Sequence, residues 1–338
     1  MIITITKTAP HSEIKRLISD LEKQNIKVHQ IEGNLYHIFG LIGDTNKLDI
    51  SHLLANPIIK TAQRINEPYK LANRLFHPEN TIVSVNDIQI GGDKVVFIAG
   101  PCSIESQEQI SRNAKLVKQA GAHILRGGAF KPRTSPYAFQ GVGIEGIMEL
   151  EKAGKKNHMP VVSELMSKEY LPEFIEHVDI IQIGARNMQN YDLLKAVGQT
   201  KKPILLKRGM ANTIEEWIMA AEYILMQGNP NVILCERGIR TFEKYTRNTL
   251  DLTVIPIIKE KTHLPIIIDP SHAAGNYKWI ESMSLAAIAA GADGIMVEVH
   301  DDPCNALSDG AQSILPQRFE AVVQKSKEIA KVIGREVE

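Results

Sequence analysis

Apolar positions over residues 1–66 switch between two spacings. The stretches "MIITITK", "IKVHQIEG", "LYHIFGLIG" and "IIKTAQRI" are short and rich in β-branched residues and predict strands. By contrast "SEIKRLISDLEKQN" and "DISHLLANP" repeat their apolar residues three and four apart and predict helices. The resulting order, βαββαβ, is that of a small ferredoxin-like domain. Residues 67–80 carry proline and polar punctuation and predict a linker. From residue 81 onward a hairpin is expected in "TIVSVNDIQIGGDK", followed by eight short apolar runs: "VVFIAGPC", "HILRGGAF", "PVVSELM", "DIIQIGAR", "PILLKRG", "NVILCERG", "PIIIDPSH" and "GIMVEVH". Runs of this length suit strands buried on both faces, and intervening stretches such as "IEEWIMAAEYILMQG" suit crossover helices. Eight such units over residues 81–338 predict a (β/α)8 TIM barrel. A doubly wound sheet fits less well, because the first strand is not followed by GxGxxG before a helix.

Composition narrows the classes. Lys plus Arg equals Asp plus Glu at 39 each, so no net field draws the chain to nucleic acid or to an anionic membrane, and any anion site must be built locally. The three cysteines, Cys102, Cys235 and Cys304, are too few and too scattered for a disulfide framework and fit a reducing compartment. The N-terminal residues lack a secretion signal, and no apolar stretch is long enough for a membrane span. A cytoplasmic protein is expected.

Chemistry collects at the carboxyl ends of the eight expected strands, where this fold builds its active sites. Cys102, Arg126, Glu164, Arg186, Lys207, Arg237, His272 and Glu298 occupy those ends in order, and Lys131 lies just past Arg126. Desolvating one charged residue on every strand would be costly unless ligands or partners compensate. The ring divides by type. Cys102, His272, Glu298 and nearby Asp309 can ligate a divalent cation, and this mixed set does not select among Mn, Fe, Co and Zn. Arg126, Lys131, Arg186, Lys207 and Arg237 can bind anions, and their number suits a substrate with both carboxylate and phosphate. Cys235, two residues before Arg237, is expected deeper in the barrel core, while His300 and Cys304 are secondary candidates near the mouth. The stretch "GGAFKPRTSPYAFQG" groups Lys131, Pro132, Arg133, Thr134 and Ser135 as a second phosphate-binding loop.

The ordered set "IAGPCSIES", "LRGGAFKPRTSPYAFQG", "IQIGARNMQN", "LLKRGM", "CERGIRTFEKYTRNTLDL", "DPSHAAG", "VEVH" and "ALSDGAQS" resembles the 3-deoxy-D-arabino-heptulosonate 7-phosphate (DAHP) synthase family, in its short bacterial and archaeal type. Residues 1–66 are similar to the ferredoxin-like regulatory extension of some members. The resemblance implies a metal-dependent, aldol-type condensation of phosphoenolpyruvate with erythrose 4-phosphate and water, releasing phosphate, as the first step of the shikimate pathway.

It also implies roles for particular residues. Arg126, Lys131, Arg186, Lys207 and Arg237 would hold phosphoenolpyruvate, and Lys131, Pro132, Arg133, Thr134 and Ser135 would receive erythrose 4-phosphate. Cys102, His272, Glu298 and Asp309 would hold one divalent metal ion, and Glu164 would offset charge developing at C2. Lys131, His272, Asp269 or a bound water would move the protons. A feedback effector such as tyrosine or phenylalanine at the N-terminal domain and a homotetramer are further implications. The alternative within this chemistry is the related synthase that joins phosphoenolpyruvate to arabinose 5-phosphate. From other classes, a phosphosugar aldolase and an anion sensor on a degenerate barrel remain as contrasts.

Overall fold

The computed structural model describes residues 1–32, 36–64, 67–132 and 135–338. The chain divides into two compact units, one of residues 1–79 with 261–263 and the other of residues 80–260 with 264–338. In the first unit, strands β1 (Ile2–Thr6), β2 (Lys27–Glu32), β3 (Tyr36–Ile42) and β4 (Ile59–Gln63) form an antiparallel sheet of order β2-β3-β1-β4. Alternation along β1 sends Ile3 and Ile5 into a core with Phe39 and Leu41, while Ile2 joins Ile38 and Phe76 in a separate cluster. The helix His11–Glu22 buries Ile14, Leu17 and Leu21 against the first core, as its spacing predicts. The short helix Ile50–Leu54 is capped by the Asp49 carboxylate, which accepts from the Ser51 backbone N–H.

The second unit opens with the hairpin β5 (Val83–Val85) and β6 (Ile88–Ile90). Among the described residues, eight parallel strands follow: β7 (Lys94–Gly100), β8 (Ile124–Arg126), β9 (Val161–Glu164), β10 (Ile180–Ile183), β11 (Ile204–Lys207), β12 (Val232–Glu236), β13 (Ile266–Ile268) and β14 (Gly294–Glu298). Pairing of β14 with β7, from Gly294 opposite Val96 to Glu298 opposite Gly100, closes the barrel. Side chains from every strand meet in its interior: Val96, Ile98, Ile124, Val162, Ile180, Leu205, Ile233, Cys235, Ile267 and Met296. Val83, Val85 and Ile90 of the hairpin belong to the same buried cluster, so the hairpin stoppers the interior.

Two features go beyond the sequence pattern. A short strand β15 (Glu336–Val337) adds in parallel to β7, and two residues are too few to leave a periodic signal. After β8 and β12 the chain runs through long segments, 127–143 and 237–253, before the next helices begin at Ile144 and Val254. Among the described residues, no helix is long and apolar enough to cross a membrane.

Candidate active site

The strand ends converge on one cavity of about 110 Å³. Its wall includes Cys102, Lys131, Pro132, Glu164, Arg186, Lys207, Arg237, His272 and Asp309, together with Gly184, Ala185, Met210 and Arg247. Local sequence explains how these groups come so close. Gly100 at the end of β7 has φ 152°, and a Cβ there would run into the Arg126 carbonyl oxygen, so glycine allows β7 and β8 to approach just before Cys102. Gly184 plays a comparable part after β10, because a Cβ would occupy the place of Glu164 Oε1.

On one side of the site lies an acidic and thiol cluster. Ligand atoms of Cys102, Glu298 and Asp309 all lie within 4.8 Å of one another. The Cys102 thiol donates to Asp309 Oδ2 at 3.2 Å, and Lys131 Nζ donates to the same sulfur at 3.3 Å. Asp309 has a left-handed backbone (φ 53°), uncommon for a residue with a side chain and found where surrounding contacts hold it. His272 stands beside the cluster, its Nε2 3.4 Å from Glu298 Oε1. Its Nδ1 is 2.8 Å from Asp269 Oδ2, and since a carboxylate only accepts, Nδ1 carries the proton and Nε2 is left as the metal-facing nitrogen.

This set suits a divalent cation. A thiol, an imidazole and two carboxylates are the donor types that Mn, Fe, Co and Zn accept. Burial, reinforced by the Glu298 charge, pushes the Cys102 thiol up to about 12, so cation binding there would expel a proton. Burial would raise Glu298 too, but His272, Arg126 and Lys131 outweigh it and hold its carboxyl down at about 2. Asp269 is likewise held well below the usual carboxylate range against its burial, by His272 and by Lys207, whose ammonium is bonded to it.

Cationic side chains line the same cavity. Arg186, Lys207 and Arg237 share the wall with Lys131. Arg237 is only 5% exposed, and its Nη1 is buried with no hydrogen-bond partner. Its neighbours are firmly tied: the Glu236 carboxylate accepts from the Gly238 N–H and from Arg208 Nη1, which also donates to Asp251. An unpartnered guanidinium nitrogen aimed from a braced backbone is a ready anion donor. Glu164 Oε2 accepts from Gln182 Nε2 at 3.3 Å, which orients its carboxylate on the same wall.

Not every expected residue reaches the cavity. Arg126 is buried behind it, donating through Nη1 to Glu298 Oε1 at 2.9 Å and to the Pro101 carbonyl. Glu298 and Asp269 are also buried and stand outside the cavity's lining, although a Glu298 oxygen belongs to the cluster with Cys102 and Asp309. Ser135 is exposed, and its hydroxyl accepts from the Tyr137 N–H; Arg133 and Thr134 lie outside the described residues. His300 is buried near Gln109, and its Nδ1 accepts from the Asp302 N–H, while Cys304 is exposed and lines a different cavity. Besides Gly184, Ala185 and Met210, three polar residues of the site are not marked by their sequence position. Arg247 lines the cavity, Ser308 Oγ is 3.1 Å from the Cys102 sulfur, and Gln312 Nε2 donates to Glu298 Oε2 at 2.7 Å. The last two fall inside "ALSDGAQS", so proximity to Asp309 was the available signal.

Known proteins resemble this chain in sequence and in fold. The DAHP synthetase I family matches residues 77–334, and the DAHP synthase ferredoxin-like domain matches residues 1–67. Phospho-2-dehydro-3-deoxyheptonate aldolase of Thermotoga maritima is 45% identical over 337 residues, covering all of both chains. A 2-dehydro-3-deoxyphosphooctonate aldolase of Geobacter sulfurreducens is 32% identical over 270 residues, 74% of this chain and 98% of its own. The crystal structure of the Thermotoga maritima DAHP synthase superposes with a TM-score of 0.80 at 45% identity, covering 100% of this chain and 99% of that one. A truncated form of the same enzyme gives 0.76 at 48% identity over 80% of this chain and 99% of its own. This chain therefore belongs to the DAHP synthetase I family, as an enzyme with the family's DAHP synthase activity, the first step of the shikimate pathway.

Proposed function

We propose that the chain condenses phosphoenolpyruvate with erythrose 4-phosphate in this cavity, with one divalent cation held by Cys102, His272, Glu298 and Asp309. The observation that carries the reading is the juxtaposition, on one wall system, of a compact ligand cluster and a cationic face with an unpartnered buried guanidinium. Arg186, Lys207, Arg237 and Lys131 bind the phosphate and carboxylate of phosphoenolpyruvate, each oxyanion taking charge-assisted hydrogen bonds. Arg126 takes part from behind, by holding Glu298. Lys131, Pro132, Arg133, Thr134 and Ser135 form the loop for the sugar phosphate.

When bound, the cation supplies Lewis-acid polarisation of the aldehyde carbonyl. Glu164 presents a carboxylate to the positive charge that develops at C2 once the new carbon–carbon bond forms. Asp269 orients Lys207 and fixes the His272 tautomer. Lys131 exchanges a proton with the reacting oxygen, a role supported by its hydrogen bond to the Cys102 sulfur and its place in the cavity wall.

Residues 1–66 serve in feedback control by an aromatic amino acid such as tyrosine or phenylalanine, and the chain works as a homotetramer in the cytoplasm. The family match of the N-terminal domain supports the regulatory part.

The test is to mix chelator-treated protein with both substrates and to add back Mn, Fe, Co or Zn, following loss of the enol absorbance and release of phosphate. Turnover restored by a metal, with erythrose 4-phosphate preferred over arabinose 5-phosphate, is the expected result. Full activity after exhaustive metal removal, or a preference for arabinose 5-phosphate, refutes the corresponding part. A variant lacking residues 1–66 is expected to keep turnover and lose inhibition by the amino acid.

A further inference from the structure

Gln312 is 2% exposed and ends the short turn Gly310–Gln312, three residues past Asp309. Its amide stands between two groups of fixed hydrogen-bonding character. Nε2 donates to Glu298 Oε2 at 2.7 Å, and Oε1 accepts from Arg247 Nη1 at 2.8 Å. A carboxylate here can only accept and a guanidinium can only donate, so the amide has a single satisfactory orientation. Arg247 itself is 43% exposed and also lies 3.4 Å from Asp309 Oδ1. Gln312 is not part of the cavity wall; its side chain reaches the site through Glu298 on one side and Arg247 on the other.

The terminal torsion of a glutamate is broad, so a lone Glu298 carboxylate would rotate freely between orientations. In the structure both of its oxygens are gripped. Oε1 accepts from Arg126 Nη1 and faces His272, and Oε2 accepts from Gln312. Arg126 alone fixes one oxygen and leaves the plane of the carboxylate undetermined. The Gln312 amide, locked in turn by Arg247, sets that plane.

We propose that Gln312 is a positioning residue that fixes the Glu298 carboxylate for the divalent cation without contacting cation or substrate. This rests on the cation site proposed above and adds a residue to it. Hydrogen-bonding partners of metal ligands commonly change metal affinity 10- to 100-fold when removed.

The experiment titrates Co²⁺ alone into chelator-treated full-length protein and reads the thiolate-to-cobalt charge-transfer absorption that ligation by Cys102 produces. Gln312→Met keeps the length of the side chain and removes both hydrogen-bonding ends, and Gln312→Asn keeps the amide on a stem too short to reach. In both variants Co²⁺ affinity is expected to fall by about 10- to 100-fold with an altered band, while the near-UV circular dichroism of the metal-free protein stays that of the wild type. Undiminished affinity in the variants overturns the positioning role. Loss of the near-UV signal in step with cobalt binding also overturns it, because Gln312 is then a packing residue only. Absence of the band in the wild type is a distinct result: it removes the cation site itself, and the role of Gln312 with it.

Discussion

Replacing Arg237 by methionine should change stability and substrate binding in opposite directions. The guanidinium is 5% exposed, and Nη1 has no partner. Burial lowers its pKa, the signature of a charge that the fold solvates poorly. A buried donor left unsatisfied costs about 1–3 kcal/mol. Methionine fills similar space without that penalty, so Arg237→Met should raise the unfolding free energy of the ligand-free protein by about 1–3 kcal/mol, read as a higher urea midpoint. If the nitrogen waits for a substrate oxyanion, the same change removes a charge-assisted bond worth about 1.5–3 kcal/mol, or about 10- to 150-fold in affinity for phosphoenolpyruvate. Isothermal titration with phosphoenolpyruvate and urea unfolding, on the same two preparations, measure both. A destabilised variant that binds phosphoenolpyruvate as tightly as the wild type would refute the reasoning, since Arg237 would then be a structural cation.

Four further substitutions test the fold that positions the site. Gly100→Ala meets both a φ of 152° and the Arg126 carbonyl, and should cost about 4 kcal/mol or more. Gly228→Ala, with φ 94° but open space around it, should cost only about 1–2 kcal/mol; equal losses in urea unfolding would show that backbone strain alone decides. Ile90→Ala in the hairpin empties part of the barrel's interior cluster and should lower the unfolding free energy by about 2–5 kcal/mol, with a loss under 1 kcal/mol telling against a sealed interior. His123 accepts from the Phe97 N–H through Nδ1, and burial lowers its pKa to about 4. The unfolded chain, at 6.5, takes up a proton that the folded one refuses, so this contribution is whole above pH 6.5 and fades by up to about 3 kcal/mol as pH falls toward 4. Urea midpoints across that window should fall less steeply for His123→Gln than for the wild type, and identical slopes would contradict the assignment.

The barrel was readable because each strand is buried on both faces and so appears as an unbroken apolar run. Alternation along β1 and the three-and-four spacing of Ile14, Leu17 and Leu21 made the first unit equally plain. Which residue types gather at the strand ends was also readable, since a chain can place eight strand ends at one mouth in only one way once the barrel is known. Where each side chain turns was not. Position identifies Arg126 as a cation at the mouth, but only the closure of β14 against β7 places Glu298 beside it and draws the guanidinium to a carboxylate. Gln312 and Arg247 are 65 residues apart and meet because β13 lies between β12 and β14 and brings the segments after those two strands together, so no local pattern could have joined them. The strand β15 escaped because two residues hold no period.

Among the described residues, the hairpin of Val83–Val85 and Ile88–Ile90 packs into the barrel's interior cluster and leaves the strand-end cavity as the way in. In such a vessel, depth becomes sequence in time. Cys102 and Glu298 lie at 2% and 1% exposure, beneath Arg247, whose side chain is 43% exposed. Whatever seats at the innermost ligands must pass before the rim is occupied, and it leaves last. Inhibition patterns with paired ligands should accordingly show a compulsory queue rather than free entry in either order.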